Sequence, residues 1–291
     1  MLSEKLTKTL TKVFTAGSRK KAAVVILLFL IMTAFLAVPV SGTPADDAKW
    51  PKEPNISVLW YSGKLQADMS NASEGYFLAR LNAPNKHKMK LRVTKGGTTL
   101  TYNLNGSGEF EIFPFQLGSG YYDVSLFENV SGKKYAAAGT LALNVNLNSD
   151  NVPFLYPNQY VNYTRFSESV IQAEQLSKGL GDAEKFKVLC DYMTKNFLYD
   201  YVKAVTIKAG QLPDVDGSYK KKMGVCQDLS AILCSMLRTQ GLPARLIIGY
   251  ADKQYHAWTV TVVNGKEYFF DPTAAIGGIS KVIDYSVERY Y

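Results

Sequence analysis

Three residues in the last third of the chain have the types needed for thiol-based acyl transfer. Cys226, His256 and Asp271 follow one another in that order, and His256 is one of only two histidines. A thiolate can attack a carbonyl carbon, an imidazole can move the proton, and a carboxylate can hold the imidazole in one tautomer. The sequence therefore predicts a nucleophile, a base and an orienting acid, provided that the fold brings them together.

The thiol of Cys226 is predicted to lie in the first turn of a helix. Apolar residues recur at helical spacing after it, at positions 229, 232, 233, 236 and 237. Free backbone N–H groups and the positive end of the helix dipole favour a thiolate there and could hold an oxyanion. Cys234 falls well inside the same helix and Cys190 on the apolar face of an earlier one, so both are predicted to be buried core residues.

His256 and Asp271 are predicted to lie on one face of a β-hairpin. The segments 256–263 and 266–271 flank Asn264-Gly265, a strong signal for a two-residue hairpin loop. With that loop, position 258 faces 271, which puts Asp271 diagonally beside His256. A shift of one residue would send the two side chains to opposite faces, so the turn itself supports the pair.

These segments resemble the transglutaminase-like superfamily of cysteine acyltransferases and proteases. The resemblance covers roughly residues 183 to 275 and rests on Gly224-Val225-Cys226, Gly241-Leu242-Pro243-Ala244-Arg245, His256-Ala257-Trp258 and Asp271-Pro272-Thr273. It implies an α+β, papain-like core with Cys226 as nucleophile, His256 as base and Asp271 as orienting acid. Relatives also carry an upstream side chain that completes the oxyanion hole, for which Gln211 is the candidate. Gln227 departs from the family pattern, because many relatives have an acid after the cysteine.

The amino terminus carries an export or membrane-anchoring signal. Residues 1–21 contain six basic residues and one acid, and residues 22–40 contain no charged residue. The apolar run is near the length that crosses a bilayer as a helix, and its basic flank is expected to stay in the cytoplasm. A transmembrane anchor at 22–40 is favoured, which predicts a single-pass membrane protein with its domains outside the cytoplasm. The small residues after Pro39 leave a cleaved, secreted form open.

The positive charge of the chain does not indicate nucleic-acid binding. Residues 1–21 contribute a net five of the eight positive charges, which leaves about +3 for the rest. The cluster at 220–222 (Lys-Lys-Lys) is predicted to be a solvated loop. The cysteine and histidine spacings do not match a zinc site, and no cofactor motif is present.

The rest of the chain is predicted to contain a linker, a β-rich domain, a connector and a catalytic domain. Residues 41–54 form the linker, and residues 55–148 contain about seven short strands separated by turn signals. The predicted strands are 56–62, 75–81, 89–95, 99–104, 109–115, 121–128 and 140–147. This pattern predicts an all-β, immunoglobulin-like sandwich. Residues 149–182 form the connector and residues 183–291 the transglutaminase-like domain.

The predicted function is an extracytoplasmic thiol enzyme that attacks amide bonds through a thioester. Hydrolysis of a protein or peptide, including a cell-envelope peptide, is favoured. Transamidation stays open, because the sequence does not reveal whether the site excludes water. The alternative is a catalytically silent envelope-binding or scaffold protein, and an acyltransferase with a small thioester donor is a third reading for which no donor-binding motif is visible.

Overall fold

The computed structural model describes residues 48–280 and 282–291. Within these ranges, none of the helices is both long enough and apolar enough to cross a membrane. The predicted cytoplasmic segment 1–21 and the predicted anchor 22–40 lie outside the described residues. The anchor and the membrane localisation therefore stay predictions.

Residues 60–145 form two antiparallel sheets. The strands are β1 (Trp60–Ser62), β2 (Leu65–Asp68), β3 (Tyr76–Leu81), β4 (Met89–Lys95), β5 (Thr98–Leu104), β6 (Glu111–Pro114), β7 (Gly120–Ser131) and β8 (Lys134–Val145). Their orders are β1-β2-β3-β6 and β5-β4-β7-β8. Alternate residues of β4 and β5 are buried, so each of these strands has one apolar face. Tyr102 of one sheet meets Phe113 of the other, with ring centroids 5.5 Å apart, so the sheets share a core.

The two packed sheets differ from the predicted strands mainly at their edges. Strand β2 was not predicted, and residues 56–58, predicted to begin a strand, form a 3₁₀-helix. The hairpin of β7 and β8 reaches its turn at Gly132, well beyond the predicted strand ends. The first part of β8 is largely exposed and has no period-two apolar pattern, which is why the sequence did not reveal it. The immunoglobulin-like topology stays a prediction.

Residues 168–290 contain the helices and the sheet that position the predicted site. The elements are α1 (Glu168–Ser177), α2 (Asp182–Asn196), β9 (Leu198–Tyr199), α3 (Tyr201–Thr206), α4 (Val215–Lys221), β10 (Met223–Gly224), α5 (Cys226–Arg238), β11 (Ala244–Ala251), β12 (Gln254–Val263), β13 (Lys266–Phe270), α6 (Pro272–Ile276) and β14 (Tyr285–Tyr290). The last four strands form an antiparallel sheet in the order β13-β12-β11-β14, and β9 pairs with β10 in parallel. Helix α5 packs on β11 and β12 and contacts α1, α2 and α4. The mixed helix-and-sheet core that the sequence predicts is present.

Helix α4 corrects one prediction. Lys220 and Lys221 end this helix and Lys222 is its C-cap residue, so the predicted loop is wrong, although Lys220 and Lys221 are exposed to solvent as predicted. The Nζ atom of Lys222 lies 3.2 Å from the ring centroid of Tyr219 and donates to the hydroxyl of Tyr192 at 3.0 Å. A cation held on an aromatic face gains attraction from the ring quadrupole, so this lysine is part of the local packing.

The two halves of the described chain share a buried boundary. Tyr291 stacks on Tyr160 with centroids 3.5 Å apart and meets Tyr102 edge to face at 6.0 Å. All described residues belong to one compact unit. The domain boundaries given by the sequence stay predictions.

Candidate active site

Cys226 is the first residue of helix α5 and is partly buried, as the sequence predicts. The strand pair β9–β10 delivers the chain to this point, with Tyr199 opposite Gly224. Only Val225 separates Cys226 from strand β10, so the pairing of β9 with β10 positions the start of the helix. Its sulfur lies at the end of the helix where backbone N–H groups have no partner within the helix.

A buried carboxylate holds the turn that precedes the thiol. Asp228 is fully buried, and its Oδ2 accepts from the backbone N–H of Val225 at 3.0 Å. Its Oδ1 accepts from the N–H of Asp214 at 3.0 Å, and Lys203 of helix α3 places Nζ 2.7 Å from Oδ2. The sequence analysis missed this role, although an acid at the third position of a helix is a known capping signal.

Gly224 leaves the space that Asp228 occupies. A Cβ atom at 224 would lie 2.8 Å from the Cβ of Asp228 and 3.3 Å from its Oδ2. We expect Gly224→Ala to lower the free energy of unfolding by about 1–3 kcal/mol, because the carboxylate must shift away from Val225 and Lys203. Urea titration of the variant measures this loss.

Gly181→Ala is the matched control for that substitution. A Cβ at 181 meets only a flexible carboxylate oxygen of Glu184, at 3.7 Å. The control is expected to cost less than about 1 kcal/mol, the scale of an N-cap change. Equal losses in the two variants would show that crowding at Gly224 has no energetic effect.

The hairpin that carries His256 has the predicted register. Residues 259–263 pair with 266–270, and the two loop residues have φ angles of 50° and 75°, as a type I′ turn requires. The predicted pairing does not continue beyond Phe270. The chain leaves the sheet at Asp271, because Pro272 has no N–H to donate and begins helix α6.

Each oxygen of the Asp271 carboxylate accepts two hydrogen bonds. Oδ1 accepts from the backbone N–H groups of Thr273 (2.9 Å) and Ala274 (3.0 Å), so Asp271 is the N-cap of α6. Oδ2 accepts from His256 Nε2 and from the hydroxyl of Tyr285, each at 2.8 Å. Tyr285 was missed by the sequence analysis, since it lies on a strand that was not predicted and no local motif marks it. The side chain of Asp271 is only 4% exposed, so the carboxylate has no freedom to turn away.

His256 lies between the carboxylate and the thiol. Its Nε2 is directed to Asp271, so Nδ1 is the nitrogen left for Cys226. Burial alone would lower the pKa of His256, but hydrogen bonds and charge interactions with Asp271 and Cys226 outweigh it and raise the pKa to about 9. Burial opposes ionisation of Asp271, yet the contacts with His256, Ala274 and Tyr285 lower the pKa of its carboxyl. An imidazolium and a carboxylate therefore face each other at neutral pH.

The raised pKa of His256 predicts how stability depends on pH. A group whose pKa is higher in the folded state contributes fully below its unfolded pKa of about 6.5, and this contribution is lost as pH rises through the folded value. We expect the free energy of unfolding to fall by about 2–3 kcal/mol between pH 6.5 and 9. Chemical denaturation at several pH values measures it, and His256→Gln should flatten the curve over this range. An equally steep curve in the variant would contradict the assignment.

Gln211 lies near the thiol but its amide is turned toward its own loop. Its backbone oxygen accepts from Gln227 Nε2 at 3.0 Å, and its Oε1 accepts from the N–H of Lys208 at 3.4 Å. Gln211 lines the same cavity as Cys226. Its predicted oxyanion role stays a prediction.

Two cavities meet at the histidine. The cavity on the Cys226 side, here called the cationic chamber, has a volume of about 370 Å³ and includes Lys208 and Arg289 in its lining. The cavity on the Asp271 side, here called the apolar cleft, has a volume of about 540 Å³. Tyr199, Gln254 and His256 line both. An extended chain could therefore pass over the thiol with one end in each cavity.

The other two cysteines lie in the core, as predicted. Cys190 is 6% exposed and Cys234 is fully buried, and all three cysteines are free thiols. Burial raises the pKa of Cys190, and burial raises the pKa of Cys234 to about 11. Their thiols are therefore protonated at neutral pH, so selective labelling of Cys226 is feasible.

Comparison with known proteins identifies the part of the chain that contains this site. Residues 171–272 match the family model described as the transglutaminase-like superfamily. The comparison with curated proteins found no match. The matched range begins and ends close to the 183–275 predicted from the sequence.

Several solved structures are similar to the chain. One is a putative cysteine protease from Cytophaga hutchinsonii, with 15% identity, 80% of this chain and 90% of that chain covered, and a TM-score of 0.39. Another is a TGase, with 19% identity, 52% and 45% coverage, and a TM-score of 0.34. A third is a putative protease from Parabacteroides distasonis, with 12% identity, 70% and 62% coverage, and a TM-score of 0.32. With TM-scores below 0.5, these likenesses bear on neither the reaction nor the substrate. The family match stands by itself: the chain contains a transglutaminase-like domain, which spans residues 171–272.

Proposed function

We propose that this protein is a thiol enzyme that hydrolyses amide bonds in proteins or peptides, with Cys226 as nucleophile, His256 as acid and base, and Asp271 as the orienting acid. The observation that carries the proposal is the position of His256, which contacts Cys226 and donates Nε2–H to Asp271 at 2.8 Å. A histidine held in this way can move a proton at Nδ1 without turning its ring.

The first half of the reaction makes a thioester. With the imidazolium beside it, the thiolate of Cys226 attacks the carbonyl carbon, and the C=O electron pair moves to oxygen. Unpaired backbone N–H groups in the first turn of α5 are the donors that we propose for this oxyanion. His256 then gives its proton to the amide nitrogen, the C–N bond breaks, and the amine leaves.

The second half returns the enzyme to its starting state. His256, now neutral, takes a proton from water, and the hydroxide adds to the thioester carbonyl. The C–S bond breaks, a carboxylic acid leaves, and the thiolate and imidazolium are restored. The cationic chamber, which Cys226 lines, gives water access to the thioester, which favours hydrolysis over transfer to an amine.

The proposal includes the location of the enzyme. The basic residues 1–21 and the uncharged run 22–40 support an anchor that leaves the catalytic domain outside the cytoplasm. Protease added to intact cells that express the chain should then digest the domain. Digestion only after lysis would contradict this location.

Mass spectrometry distinguishes the possible reactions. Wild-type protein and Cys226→Ala are incubated with a casein and cell-wall peptide mixture and a primary amine. Hydrolysis of a backbone amide in a substrate creates new peptide ends. Deamidation converts a glutamine of the substrate to glutamate, and transamidation adds the amine to it. We expect new ends with wild type and with the control Cys190→Ala, and none with Cys226→Ala. The absence of all three products would favour the envelope-binding or scaffold alternative.

A further inference from the structure

The cationic chamber has a charge that the apolar cleft does not share. Among its described lining residues are Lys208 and Arg289 and no aspartate or glutamate. The apolar cleft, in contrast, includes Asp252 and Asp271 and no lysine or arginine among its described lining residues. A substrate lying over Cys226 therefore meets a lysine and an arginine on one side only, while His256 lines both cavities.

Arg289 is the fixed cation of the chamber. It lies on β14 opposite Ile248, and its Nη2 donates to the hydroxyl of Tyr255 at 2.5 Å. Its Nη1 pairs with the exposed Glu288, which lines a neighbouring cavity that Arg289 also lines but does not line the chamber. The guanidinium is thus held at the wall by a neutral hydroxyl, and one surface carboxylate offsets part of its charge.

One donor of Arg289 has no partner. Its Nε is buried and makes no hydrogen bond to any described residue. Buried donors without a partner are uncommon in proteins and need an explanation, of which a bound ion or water is one. A guanidinium presents its N–H groups as a planar fork, a geometry that matches a carboxylate.

We propose that the cationic chamber binds a carboxylate of the substrate through Arg289 and Lys208, so that acidic peptides are the preferred substrates. The inference rests on the proposed function in taking Cys226 as the reacting group. A carboxylate is the anion that a peptide carries, and the chamber, at about 370 Å³, has room for an acidic side chain beside the thiol.

Two alkylating reagents test the proposal without a known substrate. Iodoacetate and iodoacetamide form the same S–C bond and release the same iodide, but only iodoacetate carries a carboxylate. The ratio of their rates at Cys226 of the full-length chain is divided by the ratio for N-acetylcysteine in the same buffer. We expect a normalised ratio above about 10, because positive charge concentrates anions at the site, and a decrease in 1 M salt.

Variants identify the residues responsible. Arg289→Gln should lower the normalised ratio about five- to tenfold, and Arg289→Lys, which keeps the charge but loses the planar fork, should lower it about two- to fourfold. Lys220→Gln is the control, because Lys220 is exposed and lines a different cavity. If circular dichroism shows that Arg289→Gln does not fold, Lys208→Gln, on an exposed loop, is tested in its place. It is expected to lower the normalised ratio about two- to threefold.

The outcomes separate this inference from the proposed function. A normalised ratio near 1 that Arg289→Gln and Lys208→Gln leave unchanged would overturn the carboxylate site. Slow alkylation of Cys226 by both reagents would count against a reactive thiol, while the ratio would still report on the chamber.

Discussion

Replacing Asp271 with asparagine is expected to lower kcat by about 10³- to 10⁴-fold, the scale seen when a triad carboxylate is made neutral. Both carboxylate oxygens of Asp271 accept hydrogen bonds, Oδ1 from two backbone N–H groups and Oδ2 from His256 and Tyr285. An amide has one accepting oxygen and one donating nitrogen, so either orientation places the NH₂ group against donors. With the oxygen kept on the backbone side, the amide nitrogen faces Nε2 of His256.

That orientation reverses the tautomer of the imidazole. Nε2 must then accept, so the proton of the neutral ring moves to Nδ1, the nitrogen that faces Cys226. A base whose free electron pair points away from the thiol cannot remove its proton. The raised pKa of His256 depends on the carboxylate, and we expect it to fall from about 9 toward its ordinary value.

The measurement combines kinetics with a titration. Peptide cleavage is followed across pH for wild type and Asp271→Asn, and NMR of the His256 ring protons reports its pKa. Tyr285→Phe is the matched control, since it removes one hydrogen bond to Oδ2 but leaves the carboxylate. It is expected to cost about 10- to 100-fold in kcat, because a hydrogen bond to a charged group contributes about 1.5–3 kcal/mol. A loss as large as that of Asp271→Asn would make the hydroxyl, rather than the charge, the important partner.

The parts of the site that the sequence predicts are those set by local rules. The register of the hairpin follows from Asn264-Gly265, and it brings His256 to Asp271 without any information about the rest of the fold. The position of Cys226 follows from the start of a helix, which apolar periodicity marks. Local spacing was therefore sufficient for the proximity of His256 and Asp271 and for the helical position of Cys226.

The supporting residues depend on long-range packing and were not predicted. Tyr285 reaches Asp271 only because β14 adds to the far edge of the sheet, beside β11. Lys203 reaches the buried Asp228 from a six-residue helix that has no apolar stripe and was not expected. Such contacts join segments that are far apart in the sequence. No motif or apolar periodicity indicates which distant segments will meet, so these contacts could not be predicted from one sequence.

Arg238 is the clearest case of such a contact, and its removal is expected to be the most destabilising single change. The residue ends helix α5, is fully buried, and pairs with no aspartate or glutamate side chain among the described residues. Its Nε donates to the carbonyl of Ala244 at 2.9 Å, Nη1 to that of Tyr156 at 2.6 Å, and Nη2 to that of Tyr291 at 2.9 Å. One side chain thus joins helix α5 to strand β11 at Ala244, to the connector at Tyr156, and to Tyr291, the residue that follows β14.

Two effects oppose each other at Arg238. Burying a cation is costly, and burial lowers the pKa of Arg238, so a well-packed apolar residue could be neutral or stabilising. Arg238→Met, however, would leave the carbonyls of Tyr156 and Ala244 without this donor, and each buried acceptor left unpaired costs about 1–3 kcal/mol. Charge interactions with Cys234, Tyr163 and Tyr102 act in the opposite direction to burial and raise the pKa of Arg238.

We therefore expect Arg238→Met to lower the free energy of unfolding by about 3–5 kcal/mol. Guanidinium titration measures the loss. Arg92→Met is the control, because Arg92 is exposed on a strand and its change should cost less than about 1 kcal/mol. Arg238→Lys should fall between the two, since a lysine keeps the charge but cannot reach three carbonyls in one plane. A methionine variant as stable as wild type would mean that the cost of burying the cation cancels its hydrogen bonds, and that the arginine fixes how the helix, the sheet and the connector join without adding stability.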